Sequence, residues 1–361
     1  MSIALVVGTR PQIIKTAPIL HTAHQKGLDI SLIHTGQHYD YRMSQIFLEQ
    51  FSLPEPTANL NVGSGSHTFQ TAEIMLCLEK HLTKDKFSMT LIPGDTNSAL
   101  AGALTSVKQE VPVAHIEAGA RCYDMKIAEE INRRLIDHCS ETLFAASQNC
   151  KRNLEKESVI GEIYLLGDTM FDAFLSFKDR ADRSDILDKL ELTEKEYSLL
   201  TLHRAENVDD PARLRSILKG IQETKISILF PIHPRTRNRL EEQNFSLDEN
   251  IIKIIEPVGY IEMLKLLRHA KMVLTDSGGV QKEAFWSKAP CITIRDRTEW
   301  IETIEMGVNI LTGADTERIV QAVKYVEEKY DEMKNRFREN PFGDGKASER
   351  IIRVLRERLE I

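Results

Sequence analysis

Acidic residues that could move protons stand where the sequence predicts the end of a strand or the start of a helix. Asp95 follows the apolar run 89–92, Glu117 follows the apolar run 111–114, and Glu129 opens a helical pattern. In an open α/β sheet, ligands bind at the carboxyl ends of the strands. These carboxylates, together with Glu130 beside Glu129, could therefore serve as general acids and bases on a bound substrate.

Two of these acids also have simpler interpretations. Glu129 and Glu130 form an acidic pair, which the helix dipole favours at a helix start. Asp95 could act only as the N-cap of a helix that begins near Ser98. If Thr96 caps that helix instead, Asp95 is left to face a ligand.

A turn near the N-terminus could hold a phosphate. The run GTRP at 8–11 separates a predicted strand, 3–7, from a predicted helix. Backbone N–H groups at a helix start bind anions, and Arg10 and Lys15 would add positive charge. Equally, the glycine could only shape the turn while both cations face solvent. The run lacks the GxGxxG spacing of a dinucleotide site.

A second phosphate signal lies in the C-terminal half, where Ser277, Gly278 and Gly279 separate a predicted strand from a helix. Two glycines let backbone N–H groups approach a phosphate closely, and the serine hydroxyl adds a donor. Glu283, further along the helix, could accept hydrogen bonds from both hydroxyls of a ribose. The alternative is an ordinary Gly-Gly turn before an amphipathic helix.

Further cation-capable groups converge on this predicted edge. His203 ends the first strand of the C-terminal half, and His233 and Arg235 follow the next one. A histidine at a strand end can pair with a diphosphate or move a proton, although His203 could equally be a packed or capping residue. Packing alone does not explain why so many such groups share one edge.

Length and composition restrict the class of protein. The chain has 361 residues, 42% apolar and 28% charged, as in a globular protein of two domains. Its net charge of -7 disfavours a nucleic-acid-binding surface. No apolar run could span a bilayer and no signal-peptide pattern precedes the first strand, so we expect a cytoplasmic protein without membrane attachment. Its five cysteines contain no CxxC pair, which argues against a disulfide framework and a zinc site.

Predicted strands and helices alternate along the whole chain. The strands are predicted at 3–7, 30–34, 89–92, 111–114, 143–146, 198–202, 226–231, 251–255, 272–275 and 291–294. Such alternation is typical of doubly wound parallel sheets. The interruption near residue 170 divides the pattern into two α/β halves.

These motifs together resemble the non-hydrolysing UDP-N-acetylglucosamine 2-epimerase family. The matching segments follow the family's order over essentially the whole chain and include GTRPQIIK, GDTNSALAGAL, HIEAGARCYDMKIAEEINRR, TLHRAEN, LTDSGGVQKEA, RDRTEWIET and NPFGDGKASERI. The resemblance implies an α/β fold of two Rossmann-like domains in a glycosyltransferase-B-type architecture, with the active site in the interdomain cleft. The implied domains are 1–170 and 171–345, with 346–361 as a helix returning to the first domain.

The resemblance also implies roles for individual residues. Asp95, Glu117 and Glu129 would be the acid/base carboxylates, with His203 beside the diphosphate. The residues implied for UDP binding are Ser277, Gly278, Gly279 and Glu283, with Arg10 and Lys15 close to the nucleotide. Arg235 joins them as a candidate because of its position after a strand.

The implied reaction inverts C2 of a UDP-sugar. A carboxylate removes the C2 proton while UDP leaves C1. UDP then re-adds to the 2-acetamidoglucal intermediate and a proton returns to C2 on the other face. Neither a metal nor another cofactor is required. The product would serve surface polysaccharide synthesis, and the family implies a homodimer.

Four positions depart from the family pattern. Gln12 and Lys282 stand where many members have acids, Ala128 replaces a proline, and Trp300 replaces a common arginine. Gln12, Lys282 and Trp300 look more like the branch that epimerises UDP-2,3-diacetamido-2,3-dideoxyglucuronate. Lys282 would suit the C6 carboxylate of that sugar if it reached it, but an exposed helix lysine is the simpler expectation.

Several functions therefore stay open beside the UDP-N-acetylglucosamine epimerase. They are an epimerase of the diacetamido-uronate, a glycosyltransferase with the same fold, and a silent nucleotide-sugar sensor. The carboxylates crowded in the N-terminal half favour elimination and re-addition. Gln37 and His38 match a site at which a second substrate activates bacterial members, but Asp40 and His67 do not, so we do not predict this activation.

Overall fold

The computed structural model describes residues 2–37, 48–85 and 87–361, without the side chains of 83–85. The chain forms two compact units. The first comprises Met1–Ala173 together with Pro341–Ile361, and the second comprises Phe174–Asn340. The chain therefore leaves the first unit after residue 173 and returns to it at residue 341.

A seven-stranded parallel sheet forms the centre of the first unit, in the order β3-β2-β1-β4-β5-β6-β7. The strands are β1 (Ile3–Val7), β2 (Ile30–His34), β3 (Ala58–Asn59), β4 (Met89–Pro93), β5 (Val113–Ala118), β6 (Thr142–Ala145) and β7 (Glu162–Leu165). Every residue of β1 and β4 is buried. Central strands covered on both faces have this burial, which explains why they are nearly continuous apolar runs in the sequence.

The helices of the first unit alternate with its strands. They are Arg10–Gln25, His67–Asp85, Asn97–Lys108, Ala128–Cys139, Gln148–Lys156 and Ala347–Arg358. The helix Thr169–Asp182 contains the boundary between the two units. None of the described helices is long and apolar enough to cross a bilayer.

A six-stranded parallel sheet forms the centre of the second unit, in the order β10-β9-β8-β11-β12-β13. The strands are β8 (Ser198–Thr201), β9 (Ile228–Pro231), β10 (Ile252–Ile255), β11 (Val273–Thr275), β12 (Cys291–Thr293) and β13 (Asn309–Leu311). Its helices are Ile186–Lys189, Ala205–Val208, Pro211–Glu223, Pro234–Glu242, Tyr260–His269, Gly278–Trp286, Ile301–Glu305, Thr316–Glu328 and Tyr330–Lys334. Leu200, Phe230 and Leu274 are fully buried in its core.

Both sheets have a switch point, where the direction of strand addition reverses. β1 lies between β2 and β4, and β8 lies between β9 and β11. Loops on the two sides of a switch point diverge and open a crevice at the carboxyl edge, where ligands bind. In the first unit these loops carry Arg10 and Asp95, and in the second they carry His203 and Ser277.

The predicted α/β class with parallel sheets is confirmed, but some strand predictions are wrong. β5 runs from Val113 to Ala118, so Glu117 lies within this strand rather than after the run 111–114. The short strands β3, β7 and β13 are not predicted; β7, for example, has no buried residue and hence no apolar run. Most of the helix predicted at 43–51 lies outside the described residues.

The last helix, Ala347–Arg358, packs against the first helix of the same unit. Its first turn is held by Asp172, whose carboxylate accepts hydrogen bonds from the N–H groups of Ala347 (3.2 Å) and Ser348 (2.6 Å). Burial raises the pKa of Asp172 despite these bonds. The cap is therefore a partly desolvated charge at the positive end of a helix.

We expect Asp172→Ala to lower the free energy of unfolding by about 1–2 kcal/mol, because two buried N–H groups lose their acceptor. Asp172→Asn is the matched control: its amide oxygen still accepts, and the desolvated charge is gone, so the loss should be smaller. Urea unfolding and hydrogen exchange at 347–358 measure both effects. An alanine variant with wild-type stability and exchange would contradict the capping role.

Candidate active site

Gln12 holds the turn after β1. The N–H groups of Gly8 and Thr9 donate to its Oε1 atom at 2.9 and 3.2 Å, and its Nε2 atom donates to the carbonyl oxygen of Pro93 at 2.8 Å. The side chain thus ties this turn to the end of β4. The N–H groups of Gly8 and Thr9, which the sequence suggested for anion binding, instead donate to the Gln12 side chain. Arg10 stays beside them, half-buried, and burial lowers its pKa.

Glu117 occupies an irregular position in β5. The register with β6 shifts between Ile116 and Ala118, and Glu117 has a left-handed backbone with φ of 69°. A non-glycine residue in this region stores about 1–3 kcal/mol of strain, and a bulge gives its side chain a new direction. The Glu117 carboxylate accepts a hydrogen bond from Lys15 Nζ at 2.5 Å. Lys15, predicted beside the nucleotide, is therefore the partner of a candidate catalytic carboxylate.

Asp95 is held at the end of β4 by two residues of one helix. Thr96 caps the helix that follows Asp95, which settles the choice that the sequence left open. The Asp95 carboxylate pairs with Arg133 at 2.6 Å, and its carbonyl oxygen accepts from Asn132 at 2.9 Å. The side chain is still 32% exposed. Asp95 is thus fixed in position and accessible to a ligand.

The neighbouring residues Glu129 and Glu130 have opposite environments. The buried Glu130 accepts from the N–H groups of Cys122 (3.0 Å) and Tyr123 (3.1 Å) and from the guanidinium groups of Arg133 and Arg134 (both 3.2 Å). Glu129 is half-buried and has no hydrogen bond or ion pair within the described part of the chain. Glu130 therefore has a structural role at the helix start, whereas the Glu129 carboxylate remains available for proton transfer.

Asp276 organises the carboxyl edge of the second sheet, although the sequence analysis does not single it out. Its buried carboxylate accepts from the N–H groups of His203 (3.1 Å) and Arg204 (2.9 Å) and from the Asn207 side chain (3.3 Å). His203 Nδ1 also lies 3.4 Å from this carboxylate. Asp276 therefore ties the loop after β8 to the loop after β11. Its position, an acidic residue directly after a short apolar strand, is the sequence signal that could have identified Asp276.

Ser277 and the two glycines form an accessible helix start. The Ser277 side chain accepts from the N–H group of Val280 at 3.5 Å. A Cβ on Gly279 would meet no described atom within 4 Å, and one on Gly278 would meet only side-chain atoms, at 3.5 Å or more. Neither glycine has a left-handed backbone. Their N–H groups therefore lie at an uncrowded helix start, the kind of position at which anions bind.

The cationic residues border this helix start unequally. The His203 side chain is 40% exposed, so it is not a packed core histidine. A guanidinium nitrogen of Arg204, the residue after His203, lies 3.9 Å from the Cβ position of Gly278. Arg235 is paired with Asp209 instead. Arg204 therefore lies beside the helix start, whereas Arg235 is engaged in an ion pair with Asp209.

Glu283 and Lys282, neighbours on the same helix, are both buried. Glu283 is 4% exposed and faces the Tyr260 hydroxyl; burial and then the Glu283 charge raise the pKa of Tyr260 well above its usual value. The expectation of an exposed Lys282 is wrong, because this side chain is 1% exposed and its Nζ lies 3.8 Å from the Trp300 ring centre. A cation–π contact of this kind stabilises a desolvated ammonium. Two of the family departures are thus in contact.

Two residues of the possible activator site, His38 and Asp40, lie outside the described residues. Gln37 Oε1 accepts from the N–H group of Ser98 at 3.0 Å. His67 Nδ1 lies 3.2 Å from the side-chain oxygen of Asn97. Both described residues thus contact the start of the helix Asn97–Lys108.

The predicted site residues gather at the carboxyl edge of each sheet. In the first unit Lys15 contacts Glu117, while Asp95 follows the neighbouring strand. In the second unit His203 and Ser277 follow neighbouring strands that Asp276 joins. Among the described residues, no group of three or more His, Cys, Asp or Glu side chains is placed to hold a metal ion.

Comparison with known proteins gives one consistent family. Residues 21–356 match the family model described as UDP-N-acetylglucosamine 2-epimerase. The chain is 45% identical to the UDP-N-acetylglucosamine 2-epimerase of Methanocaldococcus jannaschii, over 98% of this chain and 99% of that protein. It is 41% identical to the UDP-2,3-diacetamido-2,3-dideoxy-D-glucuronate 2-epimerase of Pseudomonas aeruginosa, over 98% and 99%.

A solved structure supports the same relationship. The crystal structure of the M. jannaschii UDP-GlcNAc 2-epimerase, in complex with UDP-GlcNAc and UDP, matches with a TM-score of 0.92 at 44% identity. The match covers 99% of this chain and 100% of that chain. The family resemblance predicted from the motifs is confirmed.

We expect Glu130→Gln to lower the free energy of unfolding by about 1–3 kcal/mol, because the two carboxylate oxygens that accept from buried donors are replaced by an amide with one acceptor atom. Glu129→Gln changes the adjacent residue by the same chemistry and should stay within about 0.5 kcal/mol of wild type. Chemical denaturation of both variants at neutral pH makes the comparison. Equal losses would refute the division of the pair into a structural and an available carboxylate.

Proposed function

The chain belongs to the UDP-N-acetylglucosamine 2-epimerase family, and we propose that it interconverts UDP-N-acetylglucosamine and UDP-N-acetylmannosamine without hydrolysis. The C2 proton passes to a base, a C1–C2 double bond forms, and the C1–O bond breaks with its electron pair going to UDP. Re-addition returns UDP to C1 of the 2-acetamidoglucal and a proton to C2 on the opposite face. The two half-reactions balance without a co-reactant.

The placement of Glu117 carries this proposal. Its bulged, left-handed backbone gives the carboxylate a direction that a regular strand would not give, and Lys15 holds it there at 2.5 Å. A general base must be held within hydrogen-bond reach of the proton that it removes. Backbone strain at a residue with a buried cation partner supports a functional role for that residue.

Inversion also requires proton transfer on both faces of the sugar. Asp95 follows β4, Glu117 lies in β5, and Glu129 begins the helix Ala128–Cys139. Because the three carboxylates stand on different elements of the first unit, more than one can serve a single C2 centre. Lys15 and Arg133 provide positive charge beside two of them.

The second unit supplies the proposed UDP site. The open N–H groups at Gly278 and Gly279, with His203 and Arg204 beside them, can stabilise the charge that develops on the departing diphosphate. Glu283 is proposed to accept from the ribose hydroxyls, with Tyr260 holding the carboxylate from behind.

The simple N-acetylhexosamine is the favoured substrate. The diacetamido-uronate requires a group that reads its C6 carboxylate, and Lys282 was the candidate offered by the sequence. Lys282 is buried against Trp300 and therefore not directed to solvent. The uronate is kept as a second candidate because the P. aeruginosa relative named for it is 41% identical to this chain.

We expect proton NMR in deuterated water to show deuterium entering C2 of UDP-N-acetylglucosamine, together with a manno-configured product. Asp95→Asn, Glu117→Gln and Glu129→Gln should each lower kcat by about 10²- to 10⁴-fold, because each removes a proton-transfer group. Exchange with the diacetamido-uronate alone would reassign the substrate. Sugar consumption only after addition of an acceptor would replace the epimerase with a glycosyltransferase, and no reaction would indicate a sensor.

Glu283→Ala is the contrasting variant for the same experiment. It should weaken UDP binding, measured by calorimetry, by about tenfold or more, since a charge-assisted hydrogen bond contributes about 1.5–3 kcal/mol. The three carboxylate variants should keep wild-type affinity for UDP. Unchanged affinity after Glu283→Ala would remove the ribose assignment.

We also propose that the protein is a homodimer formed through one helical layer of the first unit. The exposed apolar side chains of this layer are Leu76 (56%), Val107 (41%), Ile131 (39%) and Leu135 (47%). The helix Asn97–Lys108 packs against both His67–Asp85 and Ala128–Cys139. The exposed residues therefore belong to a continuous layer, and such apolar surface marks a protein contact.

Leu76→Glu combined with Leu135→Glu should convert the dimer to a monomer, because each charge would be desolvated twice in a symmetric interface. Light scattering gives the mass. Ile160→Glu is the control, since Ile160 is 93% exposed in the same unit but lies outside this layer. A wild-type monomer would refute the dimer, and a double variant that stays dimeric would refute this interface.

A further inference from the structure

His115 connects the two strands that carry the candidate carboxylates. It is fully buried in β5, two residues before Glu117. Its Nδ1 atom lies 2.6 Å from Asp137 Oδ1, and its Nε2 atom lies 2.8 Å from the carbonyl oxygen of Gly94. Gly94 directly precedes Asp95. The His115 ring therefore contacts the backbone next to Asp95 and belongs to the same strand as Glu117.

Both ring nitrogens of His115 face hydrogen-bond acceptors. The Gly94 carbonyl oxygen can only accept, so Nε2 must donate to it. Asp137 already accepts from the N–H group of Gly119 (3.1 Å) and from Arg121 (2.7 Å) through its other oxygen. Burial opposes ionisation of Asp137, but His115 and Arg121 together outweigh it and lower the pKa of this carboxyl. Nε2 therefore donates to the Gly94 carbonyl oxygen, while Nδ1 is committed to Asp137.

The remaining charges extend from this ring toward the surface. Arg121 contacts Glu157 through two nitrogens, with Nε to Oε1 at 2.9 Å and Nη2 to Oε2 at 2.7 Å. The Glu157 side chain is 18% exposed. The signs alternate along Asp137, Arg121 and Glu157, so the buried Arg121 has an opposite charge on either side. This pairing offsets the cost of burying Asp137 beside His115.

His115 acts where the strand ladder stops. The pairing of β4 with β5 ends at Pro93 and Ile116, and the Gly94 N–H group makes one further bond, to the Ile116 carbonyl, at 3.0 Å. The Gly94 carbonyl oxygen lies beyond this ladder and is bound by the His115 ring instead. A side chain therefore continues the connection between the strands up to the residue before Asp95.

We propose that His115 is a positioning residue of the active site: its ring, bonded to Asp137 and to the Gly94 carbonyl oxygen, fixes the backbone from which Asp95 and Glu117 project. This inference rests on the proposed epimerase function. The ring is buried and its two nitrogens are committed to Gly94 and Asp137, so it does not touch the substrate. Its contribution is to keep two carboxylates in register, and a displacement of about 1 Å in such groups can lower a rate by about 100-fold.

Two substitutions separate the two bonds of the ring. The amide nitrogen of His115→Asn occupies the place of Nδ1 and keeps the bond to Asp137, whereas that of His115→Gln occupies the place of Nε2 and keeps the bond to Gly94. We expect His115→Asn to lower kcat by about 10- to 100-fold relative to wild type. The kcat of His115→Gln should be about tenfold higher than that of His115→Asn. Affinity for UDP should stay within about twofold of wild type in both, because the proposed UDP residues lie in the other unit.

Glu157→Gln is the matched control for stability. It weakens the same charge chain at its outer end, away from Gly94, so it should lower the melting temperature while kcat stays within about twofold of wild type. If Glu157→Gln and His115→Asn lower kcat equally at equal loss of stability, the network is only structural and the proposal fails. The proposal also fails if His115→Gln recovers no kcat relative to His115→Asn.

Nitrogen-15 NMR of histidine-labelled wild-type protein tests the ring without any variant. The His115 Nε2 atom should carry a slowly exchanging proton, because it donates to the Gly94 carbonyl oxygen. An Nε2 atom without a proton would overturn the proposal even if His115→Asn did not fold. Wild-type turnover is measured first, so failure of the epimerase function is seen separately. If the wild-type protein turns over and His115→Asn retains its full kcat, only the positioning role is lost.

Discussion

Charge pairing at the carboxyl edge of the first sheet is the constraint on which the site depends. The paired carboxylates and their cations are Asp95 with Arg133, Glu117 with Lys15, Glu130 with Arg133 and Arg134, and Asp137 with His115 and Arg121. A buried carboxylate without a partner would cost several kcal/mol. These four acids can therefore gather at one edge only because each of them has a cation in a defined direction. Glu129 is the one acid of this group with no such partner within the described chain.

The pairing also separates support from chemistry. Glu130 and Asp137 are completely buried and hold loops and backbone, whereas Asp95 keeps 32% of its side chain exposed and Glu117 keeps 14%. The exposed members alone can meet a substrate. The buried members set the positions from which the exposed ones act, and this is why removing a buried acid should lower stability while removing an exposed one should lower turnover.

In the second unit the loops at the carboxyl edge of the sheet are held by main-chain hydrogen bonds rather than by several charge pairs. Its anchor is a single buried carboxylate, Asp276, which accepts main-chain N–H groups from the neighbouring loop. The groups offered to a ligand are main-chain donors at an uncrowded helix start, flanked by His203 and Arg204. A diphosphate is anionic in both ground state and transition state, so fixed dipoles and cations suit it. A C–H acid needs carboxylates, which the first unit provides.

Much of the fold and part of the site could be predicted from the sequence. Buried central strands are continuous apolar runs, and glycine or acidic residues mark their ends, so the α/β class and the places of Asp95, His203 and Ser277 follow from local patterns. Those patterns contain no information on which of two adjacent acids turns inward. Glu129 and Glu130 are equivalent in sequence, and only the packed helix buries one of them.

Strand order and partner choice were decided by the tertiary structure. The switch points exist because β4 joins β1 on the side opposite β2, and β11 joins β8 on the side opposite β9. The pairs Lys15 with Glu117 and Lys282 with Trp300 follow from that packing, as does the bond from His115 to Gly94. The sequence by itself determined the family, the elements and the kinds of chemical group. The direction of each side chain was decided by distant contacts, because burial and charge pairing depend on neighbours that no local pattern specifies.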